Sequence, residues 1–302
     1  MRTRRWSRSA YLEFAITQTI RVAGYSAVVF VFAIFAFLLA EGAPALREVP
    51  LRDLLGSRWY PIEGFYGLIP ILLGTLLVTL GAALIAVPLG IATAVFIAEV
   101  APRGLRETLK PLVEILAGLP SVLLGFLGIT LLAPQLYAFL GLSTGLTAFT
   151  GALLLGWIAI PTIVSVAEDS LDAVPRTYRE AALALGATRW QIIWRVTLPA
   201  ARSGVLVAVM LGIGRGLGET MAVMMVTGNA AVLPTTLGSL FRPVRTMTAT
   251  IAAEMGEVAN GSVHYHTLFL IGIVLFLISW LVNLAAASVV FRIRTRAERV
   301  LS

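Results

Sequence analysis

Two charges stand inside an apolar run, where charges are expensive. Arg215 and Glu219 fall within residues 200–226, in the stretch Gly212-Ile213-Gly214-Arg215-Gly216-Leu217-Gly218-Glu219-Thr220. Four residues apart, they share one face of a helix. An ionised side chain at bilayer depth persists only when it is paired or faces a polar cavity. A guanidinium offers a planar fork of donors that matches two oxygens of a tetrahedral oxyanion at once. Two chemistries are open to the pair: a polar path for an anion, with Glu219 holding the guanidinium in place, or an ion pair that only staples helices. Thr220 is grouped with them as a third candidate for the path. Glycines at 212 and 216, and again at 214 and 218, let another helix backbone come close.

Reaction chemistry has little to stand on. The single lysine, Lys110, is followed by Pro111, so there is no phosphate-binding G-x-x-x-x-G-K-[ST] loop and no ATP hydrolysis by this chain. H-E-x-x-H does not occur. With 0 cysteines there is no thiol nucleophile, disulfide framework or cysteine metal site. His264 and His266 are the two histidines; as metal ligands they would need further donors, and only Glu254 and Glu257 are close in sequence. The expectation is no catalytic residue, no metal and no cofactor in this chain.

The elements that must position Arg215 follow from composition. Hydrophobic residues make up 58% of the chain, charged residues 13%, and the mean hydropathy is +0.90. A soluble domain carries about 25% charged residues, so this is a multi-pass protein of the cell (inner or plasma) membrane, all-α, with the lipid bilayer as its solvent. Six spans are expected, at 22–40, 69–98, 112–133, 146–167, 200–226 and 267–291, with basic tails at 1–21 and 292–302. A cleaved signal peptide is the alternative for the first run. If the N-terminus is cytoplasmic, seventeen of the 23 basic residues lie on that side and five on the other, with Arg215 inside a span. That bias sets both termini in the cytoplasm. The +7 charge is thus a topological signal and not a nucleic-acid footprint.

Between the fourth and fifth runs lies a polar island, 168–199. Pro175 suits a first helical turn, Gly186 suits the position past a helix end, and Thr188-Arg189-Trp190-Gln191 fits a capping box. A capped helical knob between spans is built to be held. An interfacial hairpin on lipid headgroups, using Trp190, Trp194, Arg189 and Arg195, is the other reading.

Glu180-Ala181-Ala182, Gly186 nearby, then Val196 and Leu198-Pro199, resembles the EAA loop of ABC-importer permeases, with Val196 where the family pattern has Ile. The resemblance implies a type I (MetI-like) permease core. It makes 168–199 a cytoplasmic coupling loop, with Tyr178, Arg179, Glu180, Ala181, Ala182, Leu185, Gly186 and Ala187 meeting an ATPase subunit that binds the ATP and Mg. Gly214 to Val223 with Gly228-Asn229, Trp59-Tyr60-Pro61, Ala86 to Gly90, and Ala117 to Val122 resemble the PstC-type permeases of phosphate importers. That resemblance implies a heterodimer with a PstA-type permease, an ATPase dimer and an extracytoplasmic phosphate-binding protein meeting loop 227–266. It makes Arg215, Glu219 and Thr220 translocation-path residues. Sulfate, molybdate or phosphonate is the alternative cargo, since the EAA loop does not encode substrate. An ion-coupled secondary transporter using Glu114 and Glu219 would show inverted repeats, and the polar island has no counterpart in the first half. A membrane scaffold would leave the charges a structural task alone.

Overall fold

In the computed structural model, which describes residues 8–301, the chain is helical apart from one two-stranded ribbon. Helix α1, Arg8–Gly42, is continuous. It absorbs most of the stretch expected as a separate tail, because no proline stands between residues 8 and 42 to stop it. Residues 1–7 of that tail, and Ser302, lie outside the described residues. After two single-turn helices, Ala45–Glu48 and Leu51–Leu54, strands β1 (Trp59–Tyr60) and β2 (Phe65–Tyr66) pair antiparallel. Helix α2 follows at Ile69–Val100, its last turn widened to a π turn at Phe96–Val100.

The run expected as one span at 112–133 is two helices, α3 (Arg103–Ala117) and α4 (Ser121–Leu140). Proline has no N–H to donate and disfavours helix in the residue before it, so Gly118-Leu119-Pro120 breaks the ladder, with Pro120 the cap of α4. Helix α5, Ala148–Asp172, begins with Thr147 capping the Thr150 N–H and runs five residues into the region expected as loop. Then come α6 (Arg176–Ala184), α7 (Arg189–Ala200), α8 (Arg202–Gly218), α9 (Met221–Val226), α10 (Met247–Glu254) and α11 (Val263–Leu301). The fifth expected span, 200–226, is therefore broken too, at Glu219-Thr220. Among the described residues five helices are long and apolar enough to cross a membrane, six if α7 and α8, bent by 73°, count as one span.

Helix α5 is the centre of the bundle, flanked by α2 and α8 through Ala86, Ala94, Ala159, Ile163, Ala167, Leu171 and Ala208. Apolar side chains gain little from leaving lipid for one another, so such helices associate by close packing. The small residues do this work. A Cβ on Gly90 or on Gly212 would fall 2.7 Å or 2.4 Å from Ile163. Gly214 and Gly218 have nothing within 4 Å of such a Cβ. Of the two glycine pairs, 212/216 is spent within this chain and 214/218 faces open space. Helix α1 lies against α11 through stacked Phe35 and Phe276 and edge-on Phe37 and Phe269.

Gly212→Leu should therefore force α8 off α5. Overpacking of a filled site costs about 1–3 kcal/mol, read as a lowered thermal midpoint of the purified protein in detergent. Gly214→Leu should leave that midpoint near the parent's.

Candidate functional site

The Glu180 loop is a rigid knob. Pro175 caps α6 at its start. At its end the Gly186 N–H donates to Leu183 O (2.9 Å) and the Ala187 N–H to Ala182 O (3.0 Å), the paired bonds of a Schellman stop. Gly186 sits at φ +80, where an L side chain is strained. Two residues later the Thr188 hydroxyl accepts from the Gln191 N–H (3.3 Å) and the Gln191 side-chain oxygen from the Thr188 N–H (2.8 Å). Ala182, Ile192 and Ile193 are buried beneath the knob. Tyr178, Glu180, Ala181, Trp190 and Trp194 are exposed, and Leu185 is 89% exposed. With Tyr178, Trp190 and Trp194 it forms an exposed apolar face on the knob.

Arg179 does not join that surface. It points inward, where its guanidinium donates to Glu99 Oε1 (2.7 and 3.1 Å), Leu171 O (2.9 Å) and Val174 O (2.7 Å). Glu99 lies in the π turn ending α2, Leu171 in the last turn of α5, and Val174 just past its end. One side chain thus fastens the knob to two helices.

A second fastening was not read from the sequence. Helix α3 runs beside the last turns of α5. Arg106 bonds Glu168 (2.6 Å) and Asp172, while Lys110 bonds Glu168 and Asp169 (both 2.7 Å). Magnitudes rank these contacts. Asp169 and Asp172 are exposed, and exposed pairs contribute about 0–1 kcal/mol. The Glu168 side chain is 2% exposed, and stripping a buried carboxylate of its partners costs about 3–5 kcal/mol. Glu168 therefore decides whether α3 stays. Its neighbours hold the Lys110 ammonium above its ordinary pKa, chiefly through the hydrogen bond to Asp169 and next through that to Glu168. A signal was available: Arg106 and Lys110 share the i, i+4 spacing of Glu168 and Asp172.

The structure separates Arg215 from Glu219. Helix α8 stops at Gly218 and Glu219 has extended backbone (ψ 127), so the i, i+4 relation that would join them is lost. Arg215 instead donates to Thr162 Oγ1 on α5 (3.1 Å) and to Ala117 O, the last carbonyl of α3 (3.0 Å). The Glu219 carboxylate accepts from the Thr220 and Ala222 N–H groups (3.1 and 3.3 Å) and so caps α9, while the Thr248 hydroxyl donates to Glu219 O (3.0 Å). The Thr220 hydroxyl turns back to Gly218 O (3.2 Å). Arg215 uses two hydrogen bonds of a group with five donors. It is half-buried at the meeting of α3, α5 and α8.

At the opposite end Glu254 is a hub. It binds Arg245 (2.7 Å) and His264 (2.8 Å), and accepts from Trp59 Nε1 (3.2 Å). These groups line a cleft of about 390 Å³ with Tyr60 and Glu257. His266 bonds Glu41 O (2.8 Å), so the two histidines take separate partners, and no group of three metal-ligating side chains occurs among the described residues.

Residues 86–297 match the family described as binding-protein-dependent transport system inner membrane component. A phosphate transport system permease protein PstC of Mesorhizobium japonicum is 36% identical over 97% of this chain and 96% of its own. A probable ABC transporter permease protein, YqgH, of Bacillus subtilis is 42% identical over 77% of this chain and 75% of its own. Among solved structures, a chain of the inward-facing MetNI methionine ABC transporter superposes with a TM-score of 0.61 at 19% identity, covering 78% of this chain and 99% of that one. A chain of a bacterial alginate ABC transporter does so with a TM-score of 0.61 at 17% identity, covering 94% and 96%. These two share the fold.

Arg179→Ala would leave Glu99 and two carbonyls without their donor. Amide hydrogen exchange over 176–187 should quicken by at least about tenfold, the equivalent of 1.4 kcal/mol. Arg189→Ala, an exposed neighbour, should leave it unchanged.

Proposed function

This chain belongs to the family of binding-protein-dependent transport system inner membrane components, and on that footing we propose that it is the permease subunit of an ATP-driven phosphate importer. The observation that carries the substrate is the likeness to a phosphate permease along 97% of the chain, since the family alone implies import without naming a cargo. Arg215 supports the same reading. Its spare donors, in a polar niche at the break between α3 and α4, suit a tetrahedral oxyanion.

The work divides accordingly. The chain carries no chemistry of its own; a partner ATPase pair binds ATP and Mg and hydrolyses it. The exposed face of the knob, Tyr178, Glu180, Ala181, Leu185, Gly186 and Ala187 with Trp190 and Trp194, seats on that ATPase at the cytoplasmic side. Arg179 and Ala182, turned inward, hold the knob rather than touch the partner. A PstA-type permease completes the path, and the open 214/218 glycine face of α8 suits a second helix or the path itself. An extracytoplasmic phosphate-binding protein docks at the Glu254 end, over loop 227–266.

Proteoliposomes with the PstA-type and ATPase partners, ATP inside and binding protein outside, should take up phosphate in an ATP-dependent manner, insensitive to excess sulfate. Arg215→Gln should reduce uptake by at least about tenfold, the 1.4 kcal/mol equivalent of one charged contact. Sulfate uptake in place of phosphate would transfer the proposal to another oxyanion. Leu185→Asp should abolish co-purification of the ATPase with the fold intact, and retained co-purification would remove the knob from that interface.

A further inference from the structure

The importer reading leaves open how motion at the knob reaches Arg215, and the inference here rests on that reading. We propose that α3 is a lever arm. The knob, the second half of α5 and α3 move as one body, Glu168 is the positioning residue that keeps them together, and the body turns about Gly118-Leu119-Pro120.

Three observations converge on it. First, α3 cannot leave α5 without stranding Glu168, which is buried and bonded to both Arg106 and Lys110. The knob is bound to the same end of α5 by Arg179. Whatever displaces the knob therefore displaces α3. Second, the next joint along the chain is free to turn. No backbone hydrogen bond crosses it: Gly118 and Leu119 donate back into α3, and the bonds of α4 begin at Pro120 O. Third, α5 carries its own weak point at the same level. Pro161 interrupts its ladder, one residue from Thr162, which shares Arg215 with Ala117. The half of α5 before Pro161 belongs elsewhere, packed through Leu154 and Ile158 against α4 and α9.

The two prolines thus mark a line across the bundle. On one side are the knob, α3, the second half of α5 and the Glu99 end of α2, tied by charge. On the other are α4, α9 and the first half of α5, tied by apolar contact, with Gly125 against Ala222 and Gly128 against Val226. Arg215 lies on the line and is held by the lever at two points, the α3 end and Thr162. Turning the lever moves the guanidinium's two anchors together, which re-aims its remaining donors without breaking either bond. The charged face of α3, Arg103, Arg106, Glu107, Lys110 and Glu114, turns with it.

The test uses spin-label distances in the complete importer in lipid nanodiscs, with and without trapped ATP. The chain has 0 native cysteines, so labelling it before assembly with its partners confines the labels to the introduced sites. Glu107→Cys with Ala173→Cys spans α3 and the end of α5; both sites are exposed and outside the ion network. Glu107→Cys with Phe139→Cys spans the proposed joint. ATP should shift the second distance and leave the first unchanged. Adding Glu168→Gln should let the first distance shift or broaden with ATP, and lower the phosphate moved per ATP hydrolysed several-fold. Glu168→Asp should restore both. A first distance that shifts with ATP in the otherwise native chain overturns the proposal. So does a pair of distances that both stay fixed, or a first distance indifferent to Glu168→Gln. The distances need no transported substrate, so an error in the phosphate assignment would appear in the uptake assay and leave them readable.

Discussion

A backbone N–H or C=O without a partner costs several kcal/mol in the hydrocarbon of a bilayer, which is why spanning helices are ordinarily unbroken. This chain breaks two of its expected spans, at Gly118–Pro120 and at Glu219-Thr220. Each break is closed by one member of the charged pair that looked destined for each other. Arg215 takes the Ala117 carbonyl, and Glu219 takes the first N–H groups of α9. A helix end carries several such orphan groups, and a charged side chain meets them with roughly twice the strength of a neutral one. The cost of placing two ionised groups in the bundle and the cost of breaking two helices offset one another.

That exchange explains where sequence reading succeeded and where it did not. The knob was legible because its signals are local: Gly186 past a helix end and Thr188 with Gln191 specify their own geometry within a few residues. The apolar runs were legible for the same reason. Pairing Arg215 with Glu219 assumed a helix through Gly216-Leu217-Gly218, and the helix ends there. Span 112–133 failed on similar grounds: hydropathy averages over Gly118-Leu119-Pro120 and does not register that proline severs the ladder. The Glu168 cluster joins residues about sixty apart in sequence, and nothing in the chain announces such a pairing except matching i, i+4 charges on two helices. Arg179 was grouped with the docking surface by its place in a motif. Its actual direction is set by Glu99, 80 residues earlier.

The two ends of the bundle are fastened by different means. At the Trp59 end one carboxylate, Glu254, gathers an indole, a guanidinium and an imidazole from three segments. Glu254 meets Arg245, His264 and Trp59 in one cleft, and β1, β2 and α11 are drawn together around it. At the knob end the fastenings run between whole helices and leave a large apolar turn bare. Contacts that converge on one carboxylate suit a fixed platform, although the buried Arg245 Nε finds no partner among the described residues. An end with Leu185 and two tryptophans exposed suits the proposed docking of another molecule.

At Arg215 the structural role seen here and the proposed transport role would share one geometry. A lone guanidinium on a long side chain would sample many directions, and a mobile donor recognises an anion poorly because ordering it costs conformational entropy. Fixed at Ala117 O and Thr162 Oγ1, its planar fork is already oriented and its remaining donors point one way. The bonds that close a broken helix are thus the same bonds that would aim the fork at an oxyanion. On the proposed reading, removing them would cost affinity and stability together, and a defect in folding and a defect in transport at this residue would be two readouts of one geometry.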